Sequence, residues 1–226
     1  MLFAGPWEEW FYTLLLIGAR LSAFWAVLPV LRRGVPNLAK AGIVGLFALL
    51  LTPVVAPAAL PASLGFFVVQ VARETFVGLL LGFLVALVFS ALYMAGQLID
   101  IPMGFGMVTL FDSQTGDHVP MLGQFQNALA VLLFFSLNGH HALLAAMAQS
   151  FTVVPLGQGA LAGGVVQSVF QAFASLFVIS LRIALPVMAA ILVIDIALGI
   201  VTRAVPQMNV FVIGFPVKIA VGLFIY

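Results

Sequence analysis

The chain has 226 residues, of which 64% are hydrophobic and 7% are charged, with a net charge of +1. Soluble domains carry roughly a quarter charged residues, so no soluble core could hide this much apolar surface, and we predict an integral membrane protein. The charge balance gives no indication of a nucleic-acid partner. The absence of cysteine excludes disulfides, thiolate metal sites and cysteine nucleophiles.

Apolar stretches separated by glycine, proline and charged residues predict an all-α membrane fold of five to seven helices. In chain order, the predicted segments are Trp10–Leu31, Ala41–Ala56, Leu64–Ile99, Met121–Leu137, Ala142–Phe151, Leu161–Ile200 and Val210–Tyr226. Because about 20 residues of helix cross a bilayer core, segments of 16 and 36 residues fit it poorly. We therefore expect other proteins to cover some of these helices along part of their length. The basic link Arg32–Lys40 predicts a cytoplasmic loop.

Between two of these segments lies a glycine-rich and apolar stretch, "DIPMGFGMVTLFDSQTGDHVPM", residues 100–121. Its glycines permit backbone angles that other residues avoid, while its methionines and phenylalanines are disfavoured in water. Non-helical backbone at membrane depth occurs only where it lines a cavity or is buried in protein. The stretch is therefore either a deformable apolar stopper in a pore or an interfacial loop that dips into the lipid headgroups.

Charged residues within or beside the apolar runs are the second informative class, since each needs a partner or water in a membrane. Arg73 and Glu74 are neighbours on a helix and diverge, so they are not expected to pair with each other. Asp195 and Arg203 are about 12 Å apart along a helix and could pair only across a bend. Two interpretations stay open for the whole set: structural ion pairs and snorkelling ends, or contacts with a hydrated pathway or a partner subunit. The set also includes Arg20, Arg182 and Lys218.

Gly78 and Gly82, with Ala86 four residues further, form a small-residue face that lets another helix backbone approach closely. No motif indicates enzyme chemistry. His140 and His141 would point about 100° apart on a helix and could not both bind one metal. The sequence has no HExxH motif, no nucleophile elbow and no complete dinucleotide loop. We predict no enzyme activity, no cofactor and no metal site.

Four strings occur in order: "ETFVGLLLGF" from Glu74, "AGQLIDIPMGFGM" from Ala95, "NGHHALL" from Asn138, and "IDIALGIVTRAVPQMNVFVIGFPVKI" from Ile194. Together they resemble the FliR-type export-gate family of flagellar and related type III secretion systems, from about Trp10 to the end of the chain.

The resemblance implies irregular, kinked helical hairpins, similar to a fused FliP-type and FliQ-type unit, in a single membrane domain over residues 1–226. It implies FliP-type and FliQ-type gate subunits and an FlhB-type switch protein as partners, with unfolded flagellar proteins in transit. The implied location is the bacterial inner membrane, in the flagellar basal body and displaced toward the periplasmic side.

The resemblance also implies that a loop at about residues 101–119 helps to plug the closed pore. The matching plug residues are Met103, Gly104, Phe105, Gly106, Met107, Leu110, Phe111 and Asp112. Further positions match family residues that pack subunits and shape the gate: Glu74, Gly78, Gly82, Gln97, Asp195, Arg203, Gln207 and Asn209.

The chain departs from the family in two places. Ser113 follows Asp112 where relatives usually have proline, so the plug is expected to be less rigid there. The chain ends at Tyr226 within an apolar run, so we expect it to be truncated relative to the family, which leaves contacts with the FlhB-type partner open. Three alternatives remain: an injectisome gate subunit, a stand-alone channel or transporter with Asp195 and Arg203 as its site, and an assembly factor without a pore.

Overall fold

A computed structural model describes residues 6–29, 36–105, 120–158, 164–207 and 209–226 of the chain. All regular secondary structure in those ranges is helical, which confirms the predicted all-α membrane class. The helices are α1 (Pro6–Val27), α2 (Asn37–Leu51), α3 (Leu64–Met103), α4 (Met121–Ser136), α5 (Gly139–Val153), α6 (Val165–Ala204) and α7 (Val210–Ile225).

The starts of α3, α4 and α7 agree with the sequence patterns, whereas most other helix boundaries differ from them. α1 and α2 begin and end earlier than predicted, and α6 begins at Val165 rather than Leu161 and ends at Ala204 rather than Ile200. α3 starts at Leu64 as predicted but continues past Ile99 to Met103. The gap predicted between the segments that end at Leu137 and start at Ala142 is too long, because Asn138 alone adopts a left-handed conformation, with φ of 56°, and α5 begins at Gly139. Asparagine tolerates this conformation better than most residues, so the 72° bend between α4 and α5 takes fewer positions than expected.

Three helices, α1, α3 and α6, are long and apolar enough to cross a membrane. α4 and α5 are bent by 72° relative to each other, and would provide a fourth span if the bent pair crosses as one element. α2 and α7 are shorter apolar helices. At 40 residues each, α3 and α6 are about 60 Å long, twice the thickness of a bilayer core of about 30 Å.

The chain forms two compact units, and the long helices α3 and α6 contribute residues to both. Unit 1 comprises Met1–Leu87 and Leu133–Ala172, and unit 2 comprises Val88–Leu132 and Phe173–Tyr226. The core of unit 1 forms where α1 buries residues such as Leu16, Ile17 and Leu21. The core of unit 2 comprises Ile99, Met103, Leu122, Ala184, Val187 and Ile191. That residues 1–226 act as one gate domain stays a prediction.

In unit 1, the small-residue face of α3 lies directly against the backbone of α1. A Cβ atom added at Gly78 would overlap the carbonyl oxygen of Arg20, and one at Gly82 would lie 2.7 Å from the carbonyl oxygen of Phe24. The predicted close approach of a helix backbone is therefore confirmed, and the partner is a helix of the same chain.

Candidate functional site

The candidate site is the loop anchor in unit 2, defined as Asp100–Phe105 at the end of α3 and Pro120–Gly123 at the start of α4. At the end of α3, the amide of Phe105 donates a hydrogen bond to the carbonyl oxygen of Asp100 at 3.1 Å. The amide of Gly104 donates to the carbonyl oxygen of Ile101, also at 3.1 Å. Gly104 has a φ of 91°. These features form a Schellman end, in which glycine supplies the left-handed residue that terminates the helix.

Helix α7 holds this end of α3 in place. A Cβ atom at Gly104 would overlap the ring of Phe215, so the glycine is needed for contact as well as for conformation. Met103 is fully buried, and a Cβ atom at Gly222 would lie 2.6 Å from its Cε atom. Phe105 is partly buried against the core of unit 2. The end of α3 is thus packed on α7 at Met103 and Gly104.

On the second side of the anchor, the carboxylate of Asp100 caps α4. Both of its oxygens accept from the amide of Leu122, at 3.1 and 3.2 Å, and the side chain is only 4% exposed. Leu122 is the second residue of α4, where helix amides lack partners within the helix. The residue before the helix, Pro120, has no side-chain acceptor, so Asp100 supplies from α3 the negative charge that a helix N-terminus favours.

Asp100 therefore joins both sides of the anchor, through its backbone oxygen to Phe105 and through its side chain to Leu122. Two glycines let the helices meet closely beside it. A Cβ atom at Gly96 would overlap the backbone of Gly123, and one at Gly123 would lie 3.0 Å from the carbonyl oxygen of Tyr93. The geometry fixes where the chain leaves α3 and where it enters α4.

The predicted plug residues divide into two groups. Met103, Gly104 and Phe105 lie in the anchor, where they contact the core of unit 2. The others lie outside the described residues: Gly106, Met107, Leu110, Phe111 and Asp112.

A separate polar cluster lies buried in unit 1, around Arg20 of α1 and Glu74 of α3. The Arg20 Nε atom lies 2.6 Å from Glu74 Oε2, and both side chains are 0% exposed. Arg20 also donates to the carbonyl oxygens of Ser150, at 3.0 Å, and Val154, at 2.9 Å. Glu74 accepts from the amide of Gly157 at 2.9 Å. A cation at the C-terminal end of a helix stabilises its unpaired carbonyls, so the ion pair ties α1 and α3 to the end of α5.

The remaining predicted packing residues are not brought together at one site. Asp195 forms an ion pair with Lys218 of α7 rather than with Arg203. Arg73 donates to the carbonyl oxygen of Gly157 at 3.4 Å, so it does not pair with Glu74, as expected. The side chains of Gln97, Arg203, Gln207 and Asn209 are exposed.

The two adjacent histidines lie in the first turn of α5. The ring centroid of His140 lies 5.5 Å from that of Phe135 and 4.2 Å from that of His141. The described residues contain no group of three or more His, Cys, Asp or Glu side chains suited to hold a metal ion.

Sequence reasoning missed two roles. The Arg20–Glu74 pair spans 54 positions, but a signal existed, because two isolated opposite charges in apolar helices each need a partner. The role of Asp100 as a cap was also missed. The sequence pattern that could have predicted this cap is an acidic residue near the end of one helix, Asp100, followed by a next helix that is preceded by Pro120, which has no capping side chain.

Comparison with known proteins decides the family. The family model described as "Bacterial export proteins, family 1" matches residues 11–226, from α1 through α7. The chain belongs to this family. The resemblance to FliR-type proteins noted in the sequence is thereby confirmed.

Among the relatives of this export-protein family member are proteins named flagellar biosynthetic protein FliR. The one from Bacillus subtilis (strain 168) is 35% identical over 219 residues, covering 94% of this chain and 83% of the relative. The one from Escherichia coli (strain K12) is 32% identical, covering 96% of this chain and 84% of the relative. The Yop proteins translocation protein T of Yersinia pestis is 29% identical, covering 93% and 82%.

Proposed function

We propose that this chain is a subunit of the type III protein export gate in the bacterial inner membrane, and that the gate passes unfolded flagellar proteins. The observation that carries the proposal is the export-protein family match over residues 11–226. The two relatives that are 35% and 32% identical are both named flagellar biosynthetic protein FliR, which supports the flagellar system, with an injectisome as the alternative.

We further propose that the chain assembles with FliP-type and FliQ-type subunits and contacts an FlhB-type protein. Large apolar side chains on α6 support a partly protein-covered helix, because Val166 is 74% exposed and Val193 is 66% exposed, and the two lie about 40 Å apart along the axis, more than a bilayer core of about 30 Å covers. Such side chains need lipid or other apolar protein around them. The assembled gate is expected in the flagellar basal body, displaced toward the periplasmic side.

Co-purification tests this assembly. The tagged chain, extracted from its own organism in mild detergent, should bring FliP-type and FliQ-type subunits with it in a fixed ratio. Injectisome subunits in their place would assign the chain to the virulence system, and recovery of the chain alone from intact membranes would contradict the assembly.

We propose in addition that the segment following Phe105 helps to plug the closed pore. Its residues Met107, Leu110 and Phe111 are apolar, and apolar constrictions exclude water and ions. The loop anchor supports the proposal, because Asp100 binds both Phe105 and Leu122 and so keeps the two ends of the segment at one place. Within the segment, Gly106 would let the backbone withdraw for a substrate.

Ion conductance tests the plug. Replacing Met107, Leu110 and Phe111 together by glycine should make membranes that carry the assembled gate leaky to ions, while gate assembly continues. Phe105 is left intact because it contacts the core of unit 2. Ser136→Ala is the matched control, because its hydroxyl is exposed and bonds only within its own helix, to Leu133. A triple variant that assembles and conducts no more than the control would contradict the plug.

A further inference from the structure

Arg182 interrupts the apolar exposed face of α6 in unit 2. The buried face of this helix comprises Leu176, Ser180, Ala184, Val187 and Ile191. Arg182 is exposed, and at 100° per residue it lies about 160° around the helix from Ala184. Its side chain therefore starts from the side of α6 opposite the core of unit 2.

The surroundings of Arg182 on that face are apolar. Val178 is 49% exposed, Ile179 is 47% exposed and Leu185 is 49% exposed, and helical spacing places all three beside Arg182. We name these four residues the α6 docking face. No carboxylate of the described residues forms an ion pair with Arg182. The acidic residue of the same helix, Asp195, is paired with Lys218 and lies about 20 Å away along the axis.

The length of α6 argues against lipid as the cover of this face. Arg182 lies about 26 Å along the axis from Val165 and about 33 Å from Ala204. A bilayer core of about 30 Å that lies on one side of Arg182 leaves the other part outside lipid, and a core centred on Arg182 leaves both ends outside and places the charge at mid-bilayer, where it needs a partner. Both parts expose large apolar side chains, since Phe170 is 70% exposed and Val193 is 66% exposed. Protein must therefore cover at least one part, and Arg182 stands at the junction between them.

We infer that the α6 docking face binds a membrane helix of another gate subunit that presents a carboxylate to Arg182. The inference rests on the proposed function, which supplies the class of partner. An arginine surrounded by apolar side chains needs an anion, and a guanidinium can bind a carboxylate through two parallel hydrogen bonds. The apolar residues on both sides of Arg182 match a helix that is itself apolar except at its acidic position.

Three variants at Arg182, each in the full chain within its own membrane, test this inference by recovery of co-purified gate subunits. Arg182→Leu makes α6 more apolar, so the variant chain should insert into the membrane normally. Because the partner's carboxylate is then unpaired, recovery of gate subunits should fall at least about tenfold. For Arg182→Glu, recovery should fall further, because the two carboxylates repel each other. Arg182→Lys keeps the charge and should retain recovery within a few-fold of the unmodified chain. Lys40→Glu on α2 is the control for charge reversal and should leave recovery unchanged.

A photo-crosslinking residue at Leu185 identifies what covers the face. The expected product is a crosslink to another gate subunit near an acidic residue, and reversing that residue to arginine should restore recovery of the Arg182→Glu chain. Crosslinks to phospholipid alone, with full recovery for Arg182→Leu, would overturn the inference and assign Arg182 to a lipid phosphate. If the unmodified chain recovers the gate subunits and Arg182→Leu does so equally, only this inference fails. If the unmodified chain recovers none, the proposed function fails first.

Discussion

The Nε atom of Arg20 donates to Oε2 of Glu74 at 2.6 Å, although 54 positions separate the two residues in sequence. Neither side chain is exposed. The pair sits between α1 and α3 of unit 1, and its remaining hydrogen bonds reach the end of α5 through Ser150 and Gly157. Breaking such a pair leaves one uncompensated buried charge, which is more costly than removing both charges together.

Arg20→Met should therefore destabilise the chain by about 3–5 kcal/mol, since Glu74 is left buried without its cation. Thermal unfolding of the detergent-extracted complex measures the effect. The double variant Arg20→Met with Glu74→Met should recover part of the loss, because no charge then remains unpaired. Arg73→Met is the matched control: Arg73 is adjacent in sequence, exposed, and makes one long hydrogen bond of 3.4 Å. Equal losses for Arg20→Met and Arg73→Met would contradict the structural role of the pair.

Gly78→Ala should destabilise the chain by about 1–3 kcal/mol, because its new methyl group would overlap the carbonyl oxygen of Arg20 and force α1 and α3 apart. Gly42→Ala in α2 is the control, since nothing lies within 4 Å of the added atom. Unfolding midpoints of the two variants under identical conditions provide the comparison. The packing described between α1 and α3 would be wrong if Gly78→Ala matched Gly42→Ala.

Asp100→Ala should weaken the start of α4 by about 1–2 kcal/mol, the usual cost of a lost helix cap. The amides of Leu122 and Gly123, which donate to Asp100, should then exchange hydrogen faster. Adding Pro120→Ser provides a local acceptor and should restore part of that protection. Because a local cap does not connect α4 to α3, the ion leak expected from a loosened loop anchor should persist in the double variant.

Unchanged exchange in Asp100→Ala would mean that the carboxylate does not cap α4. If Asp100→Ala with Pro120→Ser recovered both slow amide exchange and the block to ion leakage, Asp100 would act only as a helix cap. It would then not connect the two sides of the anchor.

Gly104→Ala should be destabilising for two separable reasons. Its φ of 91° is unfavourable for alanine, by about 1–2 kcal/mol, and its methyl group would overlap the ring of Phe215. Phe215→Leu in the Gly104→Ala background should relieve the overlap and leave the conformational cost. A Gly104→Ala chain as stable as the unmodified one, measured by thermal unfolding of the complex, would argue against the left-handed turn.

Local patterns in the sequence predicted most of the helices, because apolar runs and breakers act over short distances. Leu64, Met121 and Val210 start helices where the pattern placed them. The start of α5 was predicted three residues late, at Ala142 rather than Gly139, because a single left-handed asparagine is enough to bend the chain between α4 and α5. The end of α3 was predicted early, since the proline at position 102 fits in the final turn before Gly104.

The site was less accessible to sequence reasoning, because its contacts are tertiary. The glycine face at Gly78 predicted close packing but not that α1 of the same chain would be the partner. The pairing of Asp195 with Lys218 required the position of α7, which no local pattern supplies. Asp100 appeared as part of a loop motif, and its capping role became visible only once Leu122 was placed beside it.

The central claim is that this chain is needed for flagellar proteins to leave the cell through the export gate. The most direct measurement is the protein content of the culture medium after deletion of its gene in its own organism, with the gene restored in trans as the control. We expect flagellar proteins to disappear from the medium and to return on complementation, while proteins secreted by other routes continue to be exported. Continued release of flagellar proteins by the deletion strain would contradict the claim.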